Sequence, residues 1–237
     1  MADYDVIIIG GGPAGINAAA AVRAKDGDGE ILVLDRDQDP PYYRTELDTY
    51  IGGSTSDAEM PLNPDSFYKD RRINIRLRTV VTRLQPAERR VELAGGERVQ
   101  YEALLLAPGS FPLTVSWPGG RVSGVTTIRP WEDARGLIGR VMETDRPVIV
   151  VGGGVLGLIL AEGIRQRGRR VELLEREPCL WAPVLDRIAS DLIRQGLVRA
   201  GIEVHLGEEV AEIHGEDGKV TSVRTSAGRR LDTDLVV

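Results

Sequence analysis

Asp5-Val-Ile-Ile-Ile-Gly10-Gly-Gly12-Pro-Ala-Gly15 and Val148-Ile-Val-Val-Gly152-Gly-Gly154-Val-Leu-Gly157 are two copies of one pattern, an apolar run leading into G-x-G-x-x-G. In a chain with 28 glycines such a pattern alone carries little weight. Here each copy leaves a strand-like run, opens a helix-like segment, and is followed about 20 residues later by a carboxylate, Asp35 or Glu175. That is the context of a dinucleotide-binding βαβ unit. The first glycine makes the tight turn, the second lets the backbone approach a pyrophosphate, and the third lets helix and strand pack closely. The helix N-terminus offers unpaired N–H groups and a partial positive charge to the phosphates. Two such units imply two dinucleotides and electron transfer between them. The first candidate set is Gly10, Gly12, Pro13, Ala14, Gly15 and Asp35; the second is Gly152, Gly154, Val155, Leu156, Gly157 and Glu175.

Outward from these anchors, strands are expected at residues 4–9 and 30–35, with a helix over 14–24 between them. Residues 40–68 read as irregular, with short helical stretches, several prolines and clustered tyrosines, a combination that favours a functional loop. Further strands are expected at 73–77, 79–84, 90–93, 97–99 and 103–107. A Pro/Gly/Ser-rich stretch over 108–129 marks a crossover. The second half then repeats the first: a helix over 132–142, the second strand–glycine–helix unit, a strand over 170–175, a helix over 184–200 and short antiparallel strands to 237. The expected fold is α/β, two Rossmann-like, three-layer ββα dinucleotide-binding domains, over 1–110 and 111–237.

Composition narrows the function classes. With 42% hydrophobic and 28% charged residues, this is an ordinary globular chain. A net charge of −6 argues against general nucleic-acid binding. Asp3 and Asp5 stand where a secretory segment would be basic, and no run of about eighteen apolar residues occurs, so a cytoplasmic location without a membrane span is expected. Cys179 is the single cysteine, read as a packed small hydrophobe. His205 and His214 stand isolated, without ligand spacing, so no metal site is expected. There is no G-x-S-x-G elbow and no phosphate-loop G-K-[ST].

The two turns, with the residues around them, resemble the flavin-dependent pyridine-nucleotide oxidoreductases. Ala103-Leu-Leu-Leu-Ala107-Pro108-Gly109-Ser110 is similar to the "LLIATGS" strand and turn of that family, and Arg129 through Asp133-Ala134 to its "LR…DA" stretch. Pro40-Pro41-Tyr42-Tyr43-Arg44-Thr-Glu-Leu47 resembles the "PPYxRxxL" segment of the large subunit of NADH-dependent nitrite reductase and of rubredoxin and ferredoxin reductases. The resemblance implies FAD at the first turn and NAD(P)H at the second. It adds Arg36, Arg44, Val81, Ala107 and Gly109 to the first cofactor set and Arg176 to the second. Arg44 would pair with cofactor phosphate or the reduced ring, and Val81 would meet the adenine through its backbone. The alternatives are a solvated arginine and a plain packing role for Tyr42 and Tyr43.

The chain departs from the family pattern in three ways. Pro108 replaces a threonine, Ile159 replaces a glutamate near the nicotinamide, and the family's C-terminal Gly-Asp motif for the ribitol is absent. The first domain is therefore expected to be incomplete at its C-terminal side and to retain flavin poorly. The implied reaction passes hydride from NADH, with NADPH less favoured, to FAD. Electrons then move to an external redox protein or a haem or iron–sulfur domain, since no cysteine pair can act as a thiol relay. A homodimer is compatible with the resemblance. A nucleotide-binding module without turnover, or an amine or amino-acid oxidase-type flavoenzyme, are the alternatives. The arginines at 71, 72, 76, 78, 83, 89 and 90 read either as a dock for an acidic partner or as the wet faces of strands.

Overall fold

The computed structural model describes residues 3–112 and 116–237, so residues 113–115 of the expected crossover lie outside the described residues. Two compact units emerge: Met1–Arg44 with Asp57–Phe111, and Thr45–Ser56 with Pro112–Val237.

In the first unit, β1 (Tyr4–Ile9) runs into α1 (Pro13–Lys25), and β2 (Ile31–Leu34) returns parallel to β1. The strands β3 (Ile73–Arg76), β4 (Val81–Gln85), β5 (Arg90–Leu93) and β6 (Arg98–Leu106) complete a six-stranded sheet of order β3-β2-β1-β6-β5-β4. Strand alternation explains its two cores. Ile7 faces Leu32, Leu34, Val91 and Tyr101, whereas Ile8 faces Ile16 and Ala19 of α1 together with Tyr68 of α3 (Asp65–Asp70). The runs expected separately at 97–99 and 103–107 are one strand. The first half of β6 pairs antiparallel with β5 and the second half parallel with β1, so its hydrogen bonding changes partner without a break in the strand.

The second unit holds α4 (Trp131–Glu143), β7 (Val148–Val151), α5 (Val155–Gln166), β8 (Val171–Glu175), α6 (Arg187–Arg199) and β9 (Ile202–Leu206). Its sheet, β7-β8-β9, is parallel. A meander of β10 (Val210–Glu216), β11 (Lys219–Thr225) and β12 (Arg230–Asp232) covers one face, with Val210, Ile213, Val220 and Val223 against Ile149 and Leu174. α6 begins later than residue 184 because Asp186 caps it, accepting a hydrogen bond from Ala189 N at 2.8 Å. Val236 bridges in parallel to Ile149, as Leu104 pairs with Ile7 in the first unit.

Two sequence expectations need correction. Thr45–Ser56 does not stay with the first unit. Its helix α2 (Leu47–Gly52) buries Tyr50 and Ile51, sets Tyr50 edge-on to Trp131 at 5.8 Å, and backs onto Gly163 of α5. Apolar burial and close backbone approach override sequence adjacency. His205 is not isolated either: parallel register brings its ring to the Glu172 carboxylate at 2.9 Å.

Arg167, the C-cap residue of α5, donates from Nε to Ile51 O (2.6 Å) and from Nη2 to Tyr50 O (3.2 Å), which also accepts from Gly53 N (3.1 Å), so the last carbonyls of α2 are capped. Arg167→Ala should cost about 1.5–3 kcal/mol, the worth of hydrogen bonds to a charged group. Thermal unfolding and amide exchange check this: exchange should rise in residues 49–54 while the β1 amides stay protected.

Candidate functional site: two carboxylate-closed glycine turns

Each strand–glycine–helix unit makes the same set of contacts. Gly10 N donates to Leu34 O and Gly152 N to Leu174 O, both at 2.8 Å, so each turn is tied to the neighbouring strand. Both glycines have positive φ, +107° and +111°, a region an L side chain rarely enters. Gly12 and Gly154 then cap α1 and α5 with no side-chain hydrogen bond, and neither helix has an acidic residue in its first turn. The leading N–H groups are left for a ligand, and an anion suits them. A Cβ at Gly15 would overlap the Gly10 carbonyl oxygen, and one at Gly157 the Gly152 carbonyl oxygen; a Cβ at Gly12 or Gly154 would meet nothing within 4 Å. Thus the third glycine serves packing and the second keeps an approach open.

The carboxylates close the turns from the far side. Asp35 Oδ2 accepts from Gly11 N at 2.8 Å and Oδ1 from Asp37 N at 3.1 Å. Glu175 does the same with Gly153 N (2.5 Å) and Glu177 N (2.8 Å). A Cβ on Gly11 would overlap the Asp35 carboxylate, and one on Gly153 would lie 2.9 Å from Glu175 Oε2 and 2.7 Å from Leu180. Gly11 and Gly153 fill variable positions of the motif and were missed in the sequence reading. The run of three consecutive glycines at each turn was the available signal. Two of the roughly four lone-pair sites of each carboxylate remain for another donor. Asp35 is 8% exposed, and burial pushes its carboxyl above the usual range, opposed by the N–H of Asp37.

Around the first turn, Ala107 N donates to Ile9 O (2.8 Å), and its carbonyl lies over Gly10, so Ala107 and Pro108 roof the turn, with Gly109 next in the chain at a φ of +67°. Thr79 N donates to Asp35 O (2.8 Å) and Arg78 N to Asp37 O (3.0 Å), which leads the chain to Val81 past the same corner. Gly11, Gly12, Asp35, Asp37, Pro41, Tyr42 and Arg44 line a cleft. Arg44 bonds Asp37 at 3.0 Å and lies over the buried Tyr42 ring at 4.9 Å. Tyr42 is the packing anchor of the loop, and bridges to Pro61. Arg36 stacks on Phe111 at 3.8 Å.

At the second turn, Val155 and Leu156 are open to solvent, 47% and 67% exposed. The Arg176 side chain is 73% exposed and lies 3.4 Å from Glu177, so the group beside the turn is Glu175. Ile159 is half-buried on α5. Cys179 is half-buried and has no disulfide partner. Most of the arginines read as a docking patch are already neutralised or engaged. Arg76 pairs with Glu97, Arg89 with Glu102, Arg90 with Glu88 and Arg72 with Asp28; Arg78 bonds Gln38 and Arg71 stacks on Phe67.

Gly15→Ala and Gly157→Ala should each lower the melting temperature by several degrees, because backbone must move. Gly12→Ala and Gly154→Ala should melt like the parent yet weaken nucleotide binding at their own turns at least tenfold by calorimetry. Asp35 supplies a pH signature. Its folded-state value is raised, so its contribution to stability is fully present below the unfolded value and lost as pH rises through the folded one. Melting curves of ligand-free protein should accordingly show the wild type losing ground to Asp35→Asn as pH climbs from 4 to 7.

The family profile described as pyridine nucleotide-disulphide oxidoreductase matches residues 4–237. Rubredoxin-NAD(+) reductase of Pseudomonas putida is 33% identical over 98% of this chain and 60% of its own length. The ferredoxin reductase component of chlorobenzene dioxygenase from Cupriavidus sp. (strain PS12) is 32% identical over 97% of this chain and 55% of its own. Among solved structures, the reductase in a covalent putidaredoxin reductase–putidaredoxin complex superposes with a TM-score of 0.92 at 26% identity, covering 100% of this chain and 58% of that one. The ferredoxin reductase of the CYP199A2 system from Rhodopseudomonas palustris gives 0.90 at 28% identity, covering 98% and 58%. The chain thus spans about three fifths of the length of such relatives. The α/β reading and the resemblance carried by the motifs are both borne out: the chain belongs to the pyridine nucleotide-disulphide oxidoreductase family.

Proposed function

We propose that this chain carries FAD at the Gly10–Gly15 turn and NADH at the Gly152–Gly157 turn. The whole protein would pass hydride from NADH to FAD and electrons onward to a redox protein. The observation that carries the reading is the duplication itself: a carboxylate-closed glycine turn with an uncapped helix start, once in each unit. FAD, once bound, supplies two-electron acceptance and one-electron delivery. The chain's residues supply binding and orientation. The uncapped N–H groups after Gly12 and Gly154 take the pyrophosphates, with Pro13 and Ala14, and Val155 and Leu156, at the helix starts. Asp35 and Glu175 use their remaining lone pairs on ribose hydroxyls. Arg36 and Arg44, which share Asp37 at 3.7 and 3.0 Å, would exchange that partner for cofactor phosphate, and Val81, Ala107 and Gly109 offer backbone contacts.

The acceptor in this reading is an iron–sulfur or related electron-transfer protein, in keeping with the rubredoxin and ferredoxin reductases among the relatives. A thiol relay would need a second cysteine beside Cys179. A cytoplasmic location and a homodimer belong to the same proposal; among the described residues no helix is long and apolar enough to cross a membrane.

NADH is preferred over NADPH, because a 2′-phosphate at Glu175 would meet a carboxylate at close range. Arg176, turned to solvent and beside Glu177, offsets this little. Calorimetric titration of FAD-reconstituted protein should give NADH at least tenfold tighter than NADPH. Glu175→Gln should lose most of that advantage, and NADH should bleach the flavin spectrum. Equal or tighter NADPH binding would overturn the specificity, and a protein that binds nucleotide without bleaching would reduce it to a binding module.

A further inference from the structure

We propose that Glu172, Glu203 and His205 form a site for a divalent first-row cation of the zinc type. It lies on the meander-facing side of the β7-β8-β9 sheet, about 10 Å back along β8 from Glu175 at the usual strand rise. Parallel register sets Glu172 directly opposite Glu203 and His205 opposite Leu174. All three side chains therefore emerge on the face where Leu174 meets the meander core. Their ligand atoms lie within 4.8 Å of one another.

Like charges directly opposite on neighbouring strands are destabilising. His205, with its side chain 10% exposed, engages only one of them, Glu172 (13% exposed), at 2.9 Å. Among the described residues no hydrogen bond or ion pair engages Glu203. Arg229 of the meander, whose charge reaches His205, is held by Glu208 at 2.9 Å, and Glu208 also accepts from Thr225 at 2.8 Å. A proton on the imidazole offsets one carboxylate; a divalent cation offsets both and binds the neutral ring.

The ligand set decides the class. Calcium and magnesium take oxygen ligands alone, whereas an imidazole with two carboxylates suits Zn²⁺, Co²⁺ or Ni²⁺. Bonds of about 2.0–2.2 Å hold tetrahedral ligand atoms roughly 3.3 Å apart. The His205–Glu172 pair is already near that spacing, and Glu203, exposed at the sheet edge, carries the remaining adjustment. A fourth position would go to water. Such an ion would tie the edge strand β9 to β8, independently of either nucleotide.

Calorimetric titration of the chelator-treated full chain with Zn²⁺, and with Mg²⁺ in parallel, tests this. One equivalent of Zn²⁺ should bind, with Mg²⁺ at least a hundredfold weaker. His205→Gln and Glu203→Gln should each cost at least tenfold, while Cys179→Ser and His214→Gln leave the affinity unchanged. Co²⁺ should give visible bands of a four- or five-coordinate site, lost in Glu203→Gln, whose exposed position spares the fold. Absence of stoichiometric Zn²⁺ binding, binding that survives both ligand variants, loss in Cys179→Ser or His214→Gln, or equal affinity for Mg²⁺ would each overturn the proposal.

Discussion

Everything at the two turns depends on how closely a helix can approach the strand that precedes it. At Gly15 and Gly157 the space a side chain would need is filled by the carbonyl oxygen of the first glycine of the same turn. That contact brings the helix start over the strand end and leaves its first N–H groups free of side-chain caps. A single methyl group would separate the elements, and the N–H cluster would lose its geometry before any ligand arrived. The constraint is steric and backbone-only, so apolar residues elsewhere cannot compensate for it.

The carboxylates add an electrostatic layer to that frame. Asp35 and Glu175 each tie together two backbone N–H groups, one in the turn and one two residues further along the chain. Because Asp35 is nearly buried, its charge is held at some cost to the empty fold. A ligand donating to the free lone pairs would recover part of it. Buried charge held at a cost to the fold is common at binding sites.

The two copies differ in what surrounds them. The turn at Gly10 is roofed by Ala107 and Pro108, whereas among the described residues nothing beyond its chain neighbours stands within 4 Å of the same place at Gly152. The first turn opens on a cleft with Arg44 and Tyr42; the second opens on the exposed Val155 and Leu156. One scaffold therefore offers two chemical settings, as the proposed pairing of two different nucleotides requires. Between Arg44 and Asp57 the chain leaves the first unit to lay α2 on α5, so the loop that carries Arg44 continues directly into the second unit.

The local chemistry is written in short stretches of the chain: apolar runs of strand length, glycines where φ turns positive or backbones touch, and Asp35 and Glu175 at the right distance along the chain. These are properties of a few consecutive residues and of covalent geometry, so they can be read without knowing the fold. What depends on register and on distant partners emerges only in the folded chain. Gly11 and Gly153 matter only because a carboxylate 24 or 22 residues away closes on their N–H groups. α2 belongs to the second unit because Ile51 and Gly163 meet there, and β6 is continuous because it changes partners midway. Most of the arginines of the first unit lose their apparent free charge to partners on neighbouring strands and loops. His205 ceases to be solitary for the same reason: in a parallel sheet a residue's neighbours are chosen by strand order and register, and no spacing along the chain encodes either.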